Sequence, residues 1–137
     1  MRIIKIPFNT ETPCSVHEVS EPGSKSCLDD IKKIINIEWA EIVLTNIRGE
    51  DPRRDYCLIV DEVGKLKEKW EDKINLRASQ FYNGALHGDP IVGDVVICAR
   101  EWTESFGECD LAGLSTFEAV KLMLYLKPYK KGEPCTQ

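Results

Sequence analysis

Apolar and polar positions alternate along residues 2–8, with Ile4, Ile6 and Phe8 on one side and Ile3 and Lys5 on the other. That two-residue period predicts a β-strand. Turn residues fill positions 9–13, and residues 15–19, which include His17, return as a second strand to make a hairpin. After the loop Glu21-Pro22-Gly23-Ser24 the period lengthens. Leu28, Ile31, Ile34 and Ile35 form one helical stripe, and Asp29, Asp30, Lys32 and Lys33 face water. Ser26, with Asp29 three residues on, reads as the helix start and Asn36 as its left-handed stop. Alternation resumes at residues 38–45, where Ala40, Ile42 and Leu44 oppose Trp39, Glu41 and Val43, and again at residues 56–61. Between them, residues 48–55 read as a charged loop whose Arg53–Arg54 pair is solvated beside Asp51 and Asp55. Gly64 is expected to supply a positive φ in the turn after the later strand. Residues 66–74 are helical or irregular, anchored by Trp70.

Asn75 is placed to cap a helix through Tyr82, with Gly84 at its exit. A turn at residues 87–90 leads into residues 91–99, the most apolar run and so the expected central strand. Residues 101–110 read as an acidic loop carrying Glu101, Glu104, Glu108 and Asp110. Ser115 and Glu118 form a capping box for a last helix, which Pro128 ends. That helix is apolar on two sides, with Phe117, Val120 and Leu124 on one and Ala119, Leu122, Met123 and Leu126 on the other. Exposing Leu122, Met123 and Leu126 would leave roughly 300 Å² of apolar surface in water, near the largest patch a monomer carries. A homodimer or higher oligomer through those three residues is therefore expected. The competing expectation is a cover formed by residues 102–114, with Trp102 and Phe106 over that side. The element order predicts one α+β domain over residues 1–127, with a mainly antiparallel sheet of about five strands and two to three helices. Residues 128–137 form a polar tail.

Composition narrows the function classes. A chain of 137 residues with a net charge of −5 and a pI near 5.1 lacks the basic surface that phosphate neutralisation requires, which disfavours nucleic acid as a partner. No apolar run is long enough to predict a membrane span, and Lys5 and Pro7 interrupt what would be a signal-peptide core, so a cytoplasmic location is expected. None of the six cysteines forms a Cys-x-x-Cys pair, and His17 and His87 are far apart. Free thiols are expected, with no metal and no cofactor.

Gly84, Gly88 and Gly93 leave a helix and enter a strand, the reverse of a phosphate loop. Cys98 with His87 and Asp89 or Asp94 would suit a thiol-dependent hydrolase, but Cys98 follows Val95-Val96-Ile97 and is expected to be buried. Ser79 lacks the Gly-x-Ser-x-Gly elbow, so no catalytic residue is assigned. What remains is a ligand group of Arg77, Phe81, Tyr82 and Asp94, in which a guanidinium and an aromatic ring suit a nucleotide-like planar anion. Glu101, Glu104, Glu108 and Asp110 form a second group, suited to a protein partner.

Three stretches stand out together: Leu58-Ile59-Val60-Asp61-Glu62-x-Gly64-Lys65-Leu66, then Asn75-x-Arg77-Ala78-x-x-x-Tyr82, then Asp89-Pro90-Ile91-Val92-Gly93-Asp94-Val95-Val96-Ile97. In these the chain resembles the DUF3846 family of uncharacterised bacterial and phage proteins. Leu28, Ile31 and Ile34 ahead of Glu41-Ile42-Val43 extend the likeness, which spans about residues 28–100. This chain departs in a longer link at residues 68–74 and in a first helix that ends at Asn36 rather than in glycines. The resemblance implies no activity and no catalytic residue. It implies a setting of phages and mobile elements, and hence an accessory binding protein directed at a host or defence protein. Sequestration of a small nucleotide signal and a small thiol-dependent hydrolase are the alternatives.

Overall fold

The structure, a computed structural model, describes residues 1–82, 89–103 and 108–130. Strand β1 (Arg2–Ile6) turns back into β2 (Ser15–Glu18), and helix α1 (Lys25–Ile35) follows. Strands β3 (Ala40–Arg48) and β4 (Arg54–Asp61) form a long hairpin. Two 3-10 turns, Gly64–Leu66 and Trp70–Lys73, lead to helix α2 (Leu76–Tyr82). Strands β5 (Val95–Thr103) and β6 (Glu108–Ala112) pair before the last helix, α3 (Thr116–Tyr125). Every pairing among the described strands is antiparallel, in the order β2-β1-β5-β4-β3. Because β4 holds one edge of β5, β1 and β6 share the other, β1 along its first half and β6 along its second. The chain is a single α+β domain around a six-stranded antiparallel sheet.

The strand period sorts side chains onto two covered faces. Ile4, Ile6, Leu58 and Ile97 meet Phe81 of α2 and Leu122 of α3. Ile3, Cys57, Ile59 and Val96 meet Ile31 and Ile35 of α1. A strand buried on both faces reads as a continuous apolar run, and Val95 to Ala99 are all fully buried. Local signals are obeyed where they are self-sufficient. Asn36 closes α1 at φ 54°, its N–H reaching the carbonyls of Lys32 and Lys33. Ser115 and Glu118 complete the capping box of α3.

Elsewhere the structure corrects the sequence reading. The first helix is capped by Ser24 rather than Ser26, and the Ser24 hydroxyl turns back to the Glu21 carbonyl. Gly64 has no positive φ; it opens a 3-10 turn, and Gly23 and Gly93 are the described glycines in that region. Residues 101–103 and 108–110 are strand, not loop, since β5 runs on past Ala99 and pairs Glu101 with Asp110. Arg54 does not sit in a solvated loop: it lies in β4 beneath α3, with its Nη2 2.8 Å from the Glu118 carboxylate and 2.6 Å from the Gly113 carbonyl. The last helix is turned opposite to expectation. Leu122 and Leu126 are buried in the core and Met123 packs against it, while Phe117, Val120 and Leu124 face outward. An interface through Leu122 and Leu126 is therefore closed. Trp102 gives no cover to α3 either, because it is exposed on the α1 side of the sheet, two positions along β5 from Arg100 and its partner Asp55. Phe106 lies outside the described residues.

Candidate functional site at the open edge of the sheet

Strand β3 ends the sheet, and among the described residues no strand pairs its outer side. The N–H of Glu62 bonds the carbonyl of Trp39 at 2.9 Å, so in this register the odd-numbered residues Glu41 and Val43 turn their backbone groups toward β4. The N–H and C=O of Ala40, Ile42 and Leu44 consequently point outward. The side chains of Ile42 and Leu44 are each 46% exposed on the α1 side, which α1 does not reach. Beyond Leu44 the register shifts, Asn46 adopts φ 58°, and the Thr45 hydroxyl bonds the Tyr56 carbonyl at 2.6 Å. This bulge bends the strand away and confines the open ladder to residues 40–44.

On the other face, residues of β3, β4 and α2 line a trough of about 480 Å³. Val43, Val60, Tyr82 and Ile91 line it, with Glu41, Asp61, Glu62, Lys65 and Asp89 around its mouth. Behind the lining residue Ile91 stands Asn75, a fully buried residue. The Asn75 N–H bonds the Ile91 carbonyl at 2.8 Å, its side-chain amide donates to the Ile6 and Gly93 carbonyls, and its Oδ1 caps α2 at the Ala78 N–H. The Ser79 hydroxyl accepts from the Ile91 N–H at 2.9 Å. Two of the mouth carboxylates are neutralised, Asp61 by Lys67 at 2.7 Å and Asp89 by Lys65. Among the described residues, Glu41 and Glu62 are in no ion pair.

Of the four ligand residues expected from sequence, the trough receives Tyr82 alone. Arg77 is 2% exposed, and its Nη2 is spent on the carbonyls of Pro7, Asn9 and Thr12 at 2.7–3.0 Å. Its Nε and Nη1 are buried without partners. Arg77 thus clamps the loop after β1 rather than presenting a guanidinium to a ligand. Phe81 is core, its ring 6.0 Å from those of Tyr56 and Tyr125. Asp94 accepts from the Phe8 N–H at 2.9 Å and lies 3.6 Å from the Lys5 ammonium. The planar-anion site of Arg77 and Phe81 is therefore not formed.

Of the expected acidic group, the β5–β6 register sets Glu101 and Asp110 opposite each other on one face. Glu101 pairs with Arg54 at 3.0 Å, Asp110 is exposed beside it, Glu104 lies outside the described residues, and Glu108 opens β6. Cys98 is fully buried, with its Sγ 3.4 Å from that of Cys57. Its hydrogen bond with Cys57 and its burial push the thiol well above the ordinary range, opposite to what a nucleophile needs. The other member of that expected pair, His87, lies outside the described residues. Cys14, Cys27, Cys57 and Cys98 are free thiols, and the described residues contain no cluster suited to a metal.

The chain matches no protein-family model, no curated protein and no solved structure. Among the described residues, no helix is long and apolar enough to cross a membrane.

Proposed function

We propose that this protein is a non-catalytic binding module that takes an extended segment of a partner protein along β3. The observation that carries the reading is the bare ladder at residues 40–44. It has outward N–H and C=O groups at Ala40, Ile42 and Leu44, half-exposed apolar side chains on one face and a trough on the other. Edge strands are ordinarily blunted by lysine, proline, charge or a bulge; residues 40–44 carry no lysine or proline, their one charge is Glu41 at the trough's mouth, and the bulge begins only after Leu44. In strand addition the main chain supplies affinity, and pockets for alternate side chains supply selectivity. The buried, proton-retaining Cys98 speaks against the thiol-enzyme alternative, and the internal bonding of Arg77 speaks against nucleotide sequestration. The setting implied by the DUF3846 resemblance would make the partner a host or defence protein.

The test is a displayed library of random ten-residue peptides, selected on the wild type and rescreened on Ile42→Pro. The Ile42 N–H points away from β4, so proline there removes an edge donor and leaves the β3–β4 ladder intact. Enriched peptides are expected to bind the variant at least about tenfold more weakly. An absence of enrichment, or binding indifferent to the proline, overturns the reading.

A further inference from the structure

The trough and the edge together specify the chemistry of the segment. Resting on the strand-addition reading, we infer that β3 receives an antiparallel segment of three apolar residues followed by a lysine or arginine, with the basic side chain held by Glu41 and Glu62. Residues that face each other across an antiparallel pair lie on the same face of the sheet. A residue opposite Ile42 or Leu44 therefore joins them on the α1 side, where both are half-exposed. A residue opposite Val43 enters the trough toward Tyr82 and Ile91. The next residue, opposite Glu41, reaches the mouth.

Charge selects what stands there. Glu41 faces Val60 across the hairpin, and Glu62 lies two residues beyond Val60 on the same face. Their backbones are diagonal neighbours, on the order of 7–8 Å apart at Cα, and both line the trough, so one long cationic side chain can reach both carboxylates. Neither has a cation among the described residues, whereas Asp61 and Asp89 beside them do. The same two carboxylates disfavour a second copy of this chain as the occupant. Pairing β3 with its own copy about Ile42 would bring the Glu41 residues of both copies onto one face as diagonal neighbours, adding a further negative charge where a cation is called for.

The probe is a fluorescein-labelled synthetic peptide, Ser-Gly-Thr-Val-Val-Ile-Lys-Thr-Gly-Ser, titrated by anisotropy against the full chain at low salt. In the inferred register its isoleucine opposes Ile42 and its lysine opposes Glu41. Binding is expected to weaken about three- to fivefold in Glu41→Gln/Glu62→Gln and roughly tenfold in Glu41→Lys/Glu62→Lys. A peptide with glutamate in place of the lysine should reverse that order. N-methylation of the isoleucine, whose N–H joins the ladder, should abolish binding, whereas methylation of the second valine, whose N–H points away, should not.

If both peptides bind equally to all charge variants, and binding still depends on the isoleucine N–H and on Ile42→Pro, the basic residue is refuted and strand addition stands. If no peptide binds, or binding ignores those two changes, both readings fall. If sedimentation shows a dimer that Ile42→Pro dissociates, the edge belongs to a second copy and the inference is overturned. The methylated peptides keep the test valid should the proline variant fail to fold.

Discussion

Removing the carboxylate of Glu118 should cost this fold more than any surface charge. Glu118 is fully buried yet ionised, because its oxygens are saturated. They accept from Arg54 Nη2 at 2.8 Å and from the N–H groups of Glu50 and Ser115 at 2.9 Å each. Burial alone would raise its pKa, but the hydrogen bonds from Arg54, Ser115 and Glu50, with the charge of Arg54, outweigh that and hold it below the ordinary glutamate range. Gly49 packs so closely on this carboxylate that a side chain there would collide with it. Glu118→Ala strands a half-buried guanidinium and two N–H groups and removes one half of the α3 capping box, leaving the Ser115 cap, for a loss of about 3–5 kcal/mol. For a chain of this length that corresponds to a fall in Tm of roughly 10–20 °C. Urea denaturation of wild type, Glu118→Ala, Arg54→Met and the double variant measures it, with a coupling of about 1–3 kcal/mol expected between the two sites. The pH dependence has a fixed sign. A carboxyl whose pKa is lower folded than unfolded stabilises above its unfolded value near 4.3, and that stabilisation is lost as pH falls through the folded value. The deficit of Glu118→Gln should thus be full at neutral pH and shrink below about pH 4. A Glu118→Ala loss under about 1 kcal/mol, or a deficit that grows with acid, would refute the reasoning.

Two further outcomes follow from burial. Cys57 and Cys98 should resist an aromatic disulfide reagent in the native state and react only at the rate of global unfolding; fast native labelling would show the sheet to be open there. Leu122→Ala should cost about 2–5 kcal/mol while Leu124→Ala costs under about 1, as read by thermal melts; the opposite order would mean that α3 is turned the other way.

Features that close within a few residues were legible in the sequence. The Ser115–Glu118 box, the Asn36 terminator, the Asn75 cap and the apolar core of β5 each depend on neighbours in the chain. Features decided by distant partners were not. Nothing around Arg54 announces Glu118, sixty-four positions away, so a buried anchor looked like a solvated loop. Residues 101–110 looked like a loop because their strand pairs polar side chains, and pairing leaves no mark on composition. Helix α3 has two apolar sides, and its periodicity could not say which one the sheet takes. The alternation of β3 was visible, but its place at the end of the sheet is a property of strand order alone. The sheet-edge site was thus hidden, even though Glu41, Ile42 and Val43 stood in plain view.

The sharing of one β5 edge by β1 and β6 carries a consequence for the order in which the fold assembles. The two strands come from opposite ends of the chain and meet where the Leu114 N–H bonds the Arg2 carbonyl at 2.8 Å. Gly113 passes so near Arg2 there that a Cβ would lie 2.9 Å from its backbone nitrogen. On the ribosome the β3–β4 hairpin emerges before β5, but β5 has no second neighbour until it reaches back to Ile4, and the seam cannot shut until residue 114 is made. Loop closure over nearly the whole chain precedes the reward, a topology that makes folding slow and leaves the most apolar strand unsheltered meanwhile. The step that completes the sheet is therefore the last one, and the β5 edge is where a partly folded chain is most open to aggregation.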